Sequence, residues 1–555
     1  MQPTRRIALV AALAAALLSA CASPTAGTDP SAAGPAGKPK LLVFLVVDGL
    51  PQRQVLAYRD QLQPDGFARF LERGAWFSQA HYSHAFTVTA AGHALMLTGA
   101  SPERTGIIGN EWRDPATGRE VYNTGDTSAT YIGHKTRALD GTSPKNLKVE
   151  TVGDVLRRAD PRSVVIGISG KDRGAILPAG KTGTAYMYMS DDGTFASSTY
   201  YMKQHPAWVN EFNAAKPADR FFKQFWRPML AEDAYARSIP DEQPWFATRD
   251  ARLPMMMGVP QDDAPGPAFY SALLRGPYGD ALDLEFALAA VEGEKLGRDD
   301  APDILSVSLS GHDYVNHAFS AESRLSHDHF LQLDRLLQGF FRDLDTRVGK
   351  DNWVAVLTAD HGFMPAPEYS KTKGIDAGKI NSAQALARIN AGLAQKFGEG
   401  KWVMGYSAAS LLLDKPLIAQ KGVDLDAVAE EARRLLLLEP GFETAYTRKE
   451  LLSGSRAGAR YFEASRKSWH PDVSGEVQFT LKANYMFNSS SASTHGSPHE
   501  YDTHVPLLVY GPKWVRPGRI DTKVEVTDIA PTLAHLLGVP APAGSQGKLL
   551  PLTAP

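Results

Sequence analysis

Cysteine is almost absent from this chain: Cys21 is the only one in 555 residues. A single thiol closes no disulfide within the chain and builds no thiolate zinc site, so any metal would rest on carboxylates and imidazoles. An excess of one charge sign is lacking too. The formal net charge is −2, which gives no reason to expect nucleic acid or an acidic polymer as a partner. Long apolar runs are missing: residues 7–18 are too few for a bilayer span, and no later segment is long and apolar enough to cross a membrane. No internal repeat is found. The composition is otherwise globular, 43% hydrophobic and 22% charged, which supports a sizeable core.

Arg5 and Arg6 precede the apolar run, which ends in Leu18-Ser19-Ala20-Cys21. This pattern resembles a bacterial lipoprotein signal, in which cleavage before the cysteine is followed by its lipidation. An ordinary secretory leader is the plainer alternative. Lipidation predicts a leader over 1–21, a Pro/Gly-rich tether over 22–38 and a domain over 39–555 working outside the cytoplasm. Acyl chains contribute about 0.8 kcal/mol per buried CH₂, so lipid on Cys21 would hold the domain at a membrane. Ala22 rather than Asp after the cysteine favours the outer membrane, and hence a periplasmic, lipid-anchored protein. The oligomeric state is left open, with a monomer compatible.

Residues 41–47 (LLVFLVV) are continuously apolar and end in Asp48-Gly49, as a buried parallel strand does when it meets a site. Residues 163–168, 304–309, 353–358 and 506–510 repeat that character. Helical patterns alternate with them: Phe67, Phe70 and Leu71 share a face, as do Phe286, Ala289 and Ala290, and a longer helix is predicted over 323 to about 348. The alternation predicts an α/β fold around a mostly parallel sheet. Two segments, about 178–279 and 365–497, interrupt it and read as insertions folding over the carboxyl edge, where such sheets bind ligands.

Those strand ends carry metal-type side chains. Asp48 follows the first, Asp313 and His317 stand four apart in SGHDYVNH, and Asp360-His361 follow the fourth. A later loop, THGSPHEYDTHVPL, adds His495, His499 and His504. His93 and His312 are left outside this set, and His327 and His329 read as solvated positions on the long helix. More than four carboxylate and imidazole ligands imply two ions, zinc by preference, with manganese, iron or cobalt compatible. A metal pair about 4 Å apart clamps the entering and leaving oxygens of a displacement at phosphorus, which points to phosphoryl transfer. Thr89 stands where an extended segment turns helical, as a helix cap or as a hydroxyl at the positive end of a helix dipole.

Seven segments in order, TVTAAGH, TGIIGNEWRD, GKDRGAILPAG, GHDYVNH, TADHG, YDTHVPL and TDIAPT, resemble the alkaline phosphatase superfamily. Within it they are most similar to the threonine-nucleophile (PafA-type) alkaline phosphatases, which are related to nucleotide pyrophosphatases and phosphodiesterases. The resemblance implies an α/β/α sandwich with two zinc ions. Asp48, Asp360 and His361 would hold one, which also receives the Thr89 oxygen. Asp313, His317 and His504 would hold the other. It implies Thr89 rather than Thr87 as nucleophile, a phosphothreonine intermediate, and Asn110 donating to a non-bridging oxygen. Lys171 and Arg173, otherwise readable as a surface turn, would meet the extra charged oxygen of a monoester dianion. Small phosphate monoesters are then the expected substrates. A phosphodiesterase or nucleotide pyrophosphatase, sharing the ligands but lacking that pair, is the nearest alternative. A sulfatase is disfavoured because its Cys/Ser-x-Pro-x-Arg nucleophile motif is missing, a phosphoglycerate mutase because of the export signal, and an adhesive lipoprotein by the full ligand set.

Overall fold

A computed structural model describes residues 37–552 of the chain. The leader over 1–21, Cys21 and its lipid, and the tether up to residue 36 lie outside the described residues.

Apolar, β-branched runs can only be strands if both faces are covered, and here they form the middle of a nine-stranded sheet. Its strands are β1 (Leu41–Val47), β2 (Ala75–Phe77), β3 (Val165–Ser169), β4 (Thr184–Met189), β5 (Thr194–Ala196), β6 (Asp303–Leu309), β7 (Trp353–Thr358), β8 (Leu507–Tyr510) and β9 (Gly518–Ile520). They lie in the order β9-β2-β8-β7-β1-β6-β3-β4-β5. Five of the eight pairings are parallel, and β8 against β7, β8 against β2 and β4 against β5 are antiparallel. Every residue of β1, β6 and β7 is buried.

Helices cover the sheet in two layers. One contains α1 (Thr89–Thr98), α2 (Asp172–Ala179) and α6 (Ile529–Leu537). The other contains α3 (Pro277–Gly293) and α5 (Arg324–Leu344), with α4 (Gly311–Phe319) leading from β6 into α5. This is the α/β sandwich expected. The predicted long helix is present to its expected end: Ser323 caps it by accepting from the Ser326 N–H, the α-helical part reaches Leu344, and a π-helical turn over Asp345–Gly349 continues it.

The first inserted stretch starts later than residue 178, because Pro178 lies inside α2 and β4 and β5 belong to the central sheet. Alternating Thr184-Ala-Tyr-Met-Tyr-Met reads poorly as a buried strand from sequence, yet its outer face is covered by Trp208 and Phe286. The second stretch carries its own antiparallel sheet of Val403–Ser407, Ser410–Leu413, Val477–Leu481 and Phe442–Thr447. Helices Ser382–Phe397 and Leu425–Leu436 close a separate core around Trp402, Leu411 and Phe479.

Two glycines let the functional edge close. A Cβ on Gly92 of α1 would stand 2.2 Å from the Asp360 carbonyl oxygen, and one on Gly362 would stand 2.1 Å from that of Tyr501. Without side chains there, α1 and the loop before β8 rest directly on the end of β7.

Far from that edge, Asp334 on α5 accepts from the N–H groups of Gln63 and Phe67, capping the helix Phe67–Arg73. Burial pushes its carboxyl up to about 6, against those two hydrogen bonds. The folded state therefore keeps this proton longer than the unfolded chain does. The stabilisation is complete below about pH 4 and is lost as pH rises through about 6. Chemical denaturation between pH 4 and 7 should show the wild type losing on the order of 2–3 kcal/mol relative to Asp334→Asn. Parallel curves for the two proteins would contradict the assignment.

Candidate active site

Register brings the candidate residues to one edge. Val47 of β1 is level with Leu309 of β6, Val46 with Thr358 of β7, and Ser308 with Ser169 of β3. Asp48, Asp360 and Lys171 thus follow neighbouring strand ends, and α4 starts just beyond β6 with Asp313 and His317 one helical turn apart.

Two trios result: Asp48, Asp360 and His361, and Asp313, His317 and His495, each with its donor atoms within 4.8 Å of one another. In the first, His361 Nε2 is 3.5 Å from Asp48 Oδ1 and 3.4 Å from Asp360 Oδ2. In the second, Asp313 Oδ1 is 3.4 Å from His317 Nε2 and 3.6 Å from His495 Nε2. Each imidazole turns its Nδ1 to a backbone carbonyl: His361 to Gly362, His317 to Ser493 and His495 to Thr87, at 2.9, 3.0 and 2.9 Å. That bond fixes the tautomer and leaves Nε2 with a free lone pair facing the carboxylates, the arrangement of metal-ligating histidines.

The donor sets fit divalent ions on a second ground. Asp48 Oδ1, Asp313 Oδ1, Asp360 Oδ2 and His361 Nε2 are buried with no hydrogen-bond partner. Buried polar atoms of this kind are costly unless paired or bound to a cation, and these four are acceptors aimed inward. Burial keeps His361 and His495 below the usual imidazole range, so both are neutral ligands. Burial also pushes Asp48 up, with Asp360 adding to it. Burial works to raise Asp313, but the Lys171 ammonium 2.6 Å away outweighs it and holds the carboxyl well below the usual range.

His504 is not in either trio, which corrects the sequence expectation. Its Nε2 bonds the Ser78 carbonyl at 2.9 Å, and its ring stacks on His81 with centroids 4.3 Å apart. Because β8 runs antiparallel to β7, the whole 495–504 loop lies at the functional edge and residue type alone does not separate its histidines. The short helix Glu500–Thr503 and a bridge to His81 carry His504 sideways, while His495 stacks on His361 at 3.4 Å. His327 and His329 are also not solvated; both are fully buried. His327 bonds Ser238 of the first inserted stretch and Gln61, and His329 lies against His312 and Asp280. The covering elements were invisible in the helix pattern itself.

Thr89 is the first residue of α1. The turn is pinned to the first trio: His93 Nδ1 lies 2.8 Å from the Thr89 carbonyl and 3.4 Å from Asp360 Oδ2, and its Nε2 bonds Ser308. Thr87 differs, since its hydroxyl donates to the Ser497 carbonyl and accepts from the Ser497 N–H. Asn110 Oδ1 accepts from the Ala90 N–H at 2.9 Å, which leaves its amide N–H groups for a ligand. Lys171 Nζ sits between the trios, 2.7 Å from Asp48 Oδ2 and 2.6 Å from Asp313 Oδ2. Arg173 donates to the Tyr122 hydroxyl at 3.1 Å, and Tyr122 donates to Asp172. Lys171, Arg173, Tyr122 and Tyr314 line one cleft.

Sequence inspection missed the support behind these groups. Asp280 and Asp283, one turn apart on α3, accept from the N–H groups of Gly311 and Gly170 at 2.9 and 3.2 Å. They clasp the first residue of α4, which carries Asp313, and the loop that carries Lys171. Their only sequence signal is a pair of acids at helical spacing on an otherwise apolar face.

The family model of type I phosphodiesterases / nucleotide pyrophosphatases matches residues 42–504. Alkaline phosphatase PhoV of Synechococcus elongatus is 34% identical over 92% of each chain. Alkaline phosphatase PafA of Elizabethkingia meningoseptica is 32% identical over 92% of this chain and 94% of its own. The crystal structure of wild-type PafA superposes with a TM-score of 0.85 at 32% identity, covering 92% of this chain and 98% of that one. A Myroides odoratus protein named calcium-transporting ATPase is 34% identical over 92% and 94% of the two chains. Among the described residues, no helix is long and apolar enough to cross a membrane.

The two loop histidines make opposite predictions. His495→Ala should lower bound metal by about one equivalent and cut activity at least about a hundredfold, whereas His504→Ala should keep its full metal content by elemental analysis. Metal loss from His504→Ala with retention in His495→Ala would reverse the assignment.

Proposed function

The chain belongs to the type I phosphodiesterase / nucleotide pyrophosphatase family, and we propose that within it the protein is an alkaline phosphatase. It hydrolyses phosphate monoesters to inorganic phosphate and an alcohol through a phosphothreonine at Thr89. The similarity to PhoV and PafA over most of the chain supports this reading. The observation that carries it is the pairing of Lys171 and Arg173 in one cleft beside the two trios. A monoester dianion presents one more charged oxygen than a diester, and a cationic pair there rewards that difference.

Asp48, Asp360 and His361 would hold one divalent ion and Asp313, His317 and His495 the other, zinc by the mixed carboxylate and imidazole donor set. Bound ions supply positive charge that eases deprotonation of a hydroxyl or water and neutralises charge on phosphoryl oxygens. The remaining work falls to the chain. Thr89 presents its hydroxyl at the N-terminus of α1, where the helix dipole favours anionic oxygens. Asn110, its carbonyl committed to Ala90, donates N–H to a non-bridging oxygen. Lys171 and Arg173 meet the remaining oxygens, and Tyr122 and Tyr314 hold the two cations in place. Such preorganised charge is the main source of acceleration in phosphoryl transfer. On the pattern of residues 1–21 the enzyme is exported to the periplasm and anchored through lipid on Cys21.

Thr89→Ala should reduce monoester turnover by at least about a thousandfold with metal content kept, while Thr87→Ala should act mainly through stability. The opposite order would move the nucleophile to Thr87. Lys171→Ala with Arg173→Ala should lower kcat/KM for an aryl phosphate at least about tenfold more than for its methyl diester. Equal losses would remove the ground for a monoesterase and favour a diesterase on the same scaffold.

A further inference from the structure

Beside the second trio lies a cleft of about 780 Å³ that the reaction itself does not use. His317 belongs to both: its Nε2 faces Asp313, and its ring, 28% exposed, forms the cleft's inner end with Tyr314. The outer wall is a two-stranded ribbon, Phe225–Trp226 against Met255–Met256, continued by Met257. Three of the chain's 12 methionines are therefore among the residues that line this side, Met257 being largely buried in the core behind it. Helix Pro267–Leu273 contributes the small side chains of Ala268 and Ala272, and Thr248, Asp250, Arg252 and Arg275 add polar groups to the lining.

We propose that this cleft binds the alcohol portion of the substrate and makes the enzyme selective for phosphate monoesters of large aromatic alcohols. This deepens the phosphomonoesterase reading and rests on it. In an in-line displacement the entering and leaving oxygens lie on opposite sides of phosphorus. Thr89 enters from α1, which packs on Asp360 of the first trio, so the departing oxygen is on the Asp313–His317–His495 side. An oxygen on that side lies beside His317, and the cleft opens next to His317 and Tyr314. Thioethers are polarisable and unbranched, so they fit flat rings of differing outline and gain from sulfur–aromatic contact. The alanines leave the width that a fused ring needs.

The test compares kcat/KM for 2-naphthyl phosphate and phenyl phosphate, whose leaving groups are of similar acidity but differ by one ring. The wild type should favour the naphthyl ester by at least about fivefold, since the apolar part of a pocket is worth about tenfold or more for each methylene it encloses, and the methionine and alanine side of this cleft is apolar. Ala272→Trp, which fills the cleft, and Met256→Asp, which makes its methionine side charged, should each shrink that ratio at least about fivefold. Thermal unfolding of each variant checks that it is folded, and the ratio is insensitive to a shared loss of active protein. A wild-type ratio near one, or a ratio that neither variant changes, overturns the proposal while monoesterase activity stands. If the wild type hydrolyses neither ester but cleaves the methyl diester, the monoesterase reading itself has failed, and this one with it.

Discussion

Three carboxylates, Asp48, Asp313 and Asp360, are buried together at the ends of adjacent strands. Burying one such charge costs several kcal/mol even after relaxation, and mutual repulsion adds to it. The sheet tolerates them only because positive charge is gathered around them. Lys171 reaches one oxygen on each side, while the neutral His361 and His495 turn Nε2 lone pairs toward the same space and add none. The oxygens still unpaired after that are the ones a cation would bind. Stability and chemistry at this edge therefore share one electrostatic requirement, and the close glycines and the α3 clasp serve it by keeping the loops in register.

That requirement explains how far the amino-acid order could be read. Strand cores such as 41–47 and 353–358 announced themselves, because a run buried on both faces has to be apolar throughout. Acids and histidines immediately after them were legible for the same reason: nothing else accounts for charge at the end of such a run. Legibility failed where position depends on a loop's path. His495 and His504 are both histidines near the start of β8, and only the turn through Glu500–Thr503 separates a ligand from a residue stacked on His81. It failed again at His327 and His329, where exposure is decided by an inserted segment more than 80 residues away in the chain. The sandwich and its edge could be read from spacing; what the insertions cover could not.

The insertions do more than shield. One supplies the methionine ribbon beside His317, and the other brings Ser407–Ala409 next to Asn110 and Trp112. The metal-type and cationic groups of the edge are thereby enclosed by walls of different composition on its two sides. A common catalytic frame can vary in substrate preference through these walls without disturbing the strand ends.

The bond from His495 Nδ1 to the Thr87 carbonyl has a further consequence. Thr87 lies two residues before Thr89, and its hydroxyl is already locked to Ser497 in the loop that carries His495. The segment leading into α1 and the ligand loop are therefore one mechanical unit. Loading an ion onto the second trio would tighten the approach to the nucleophile as well, so the site should assemble as a whole, with metal uptake and hydroxyl alignment arriving together.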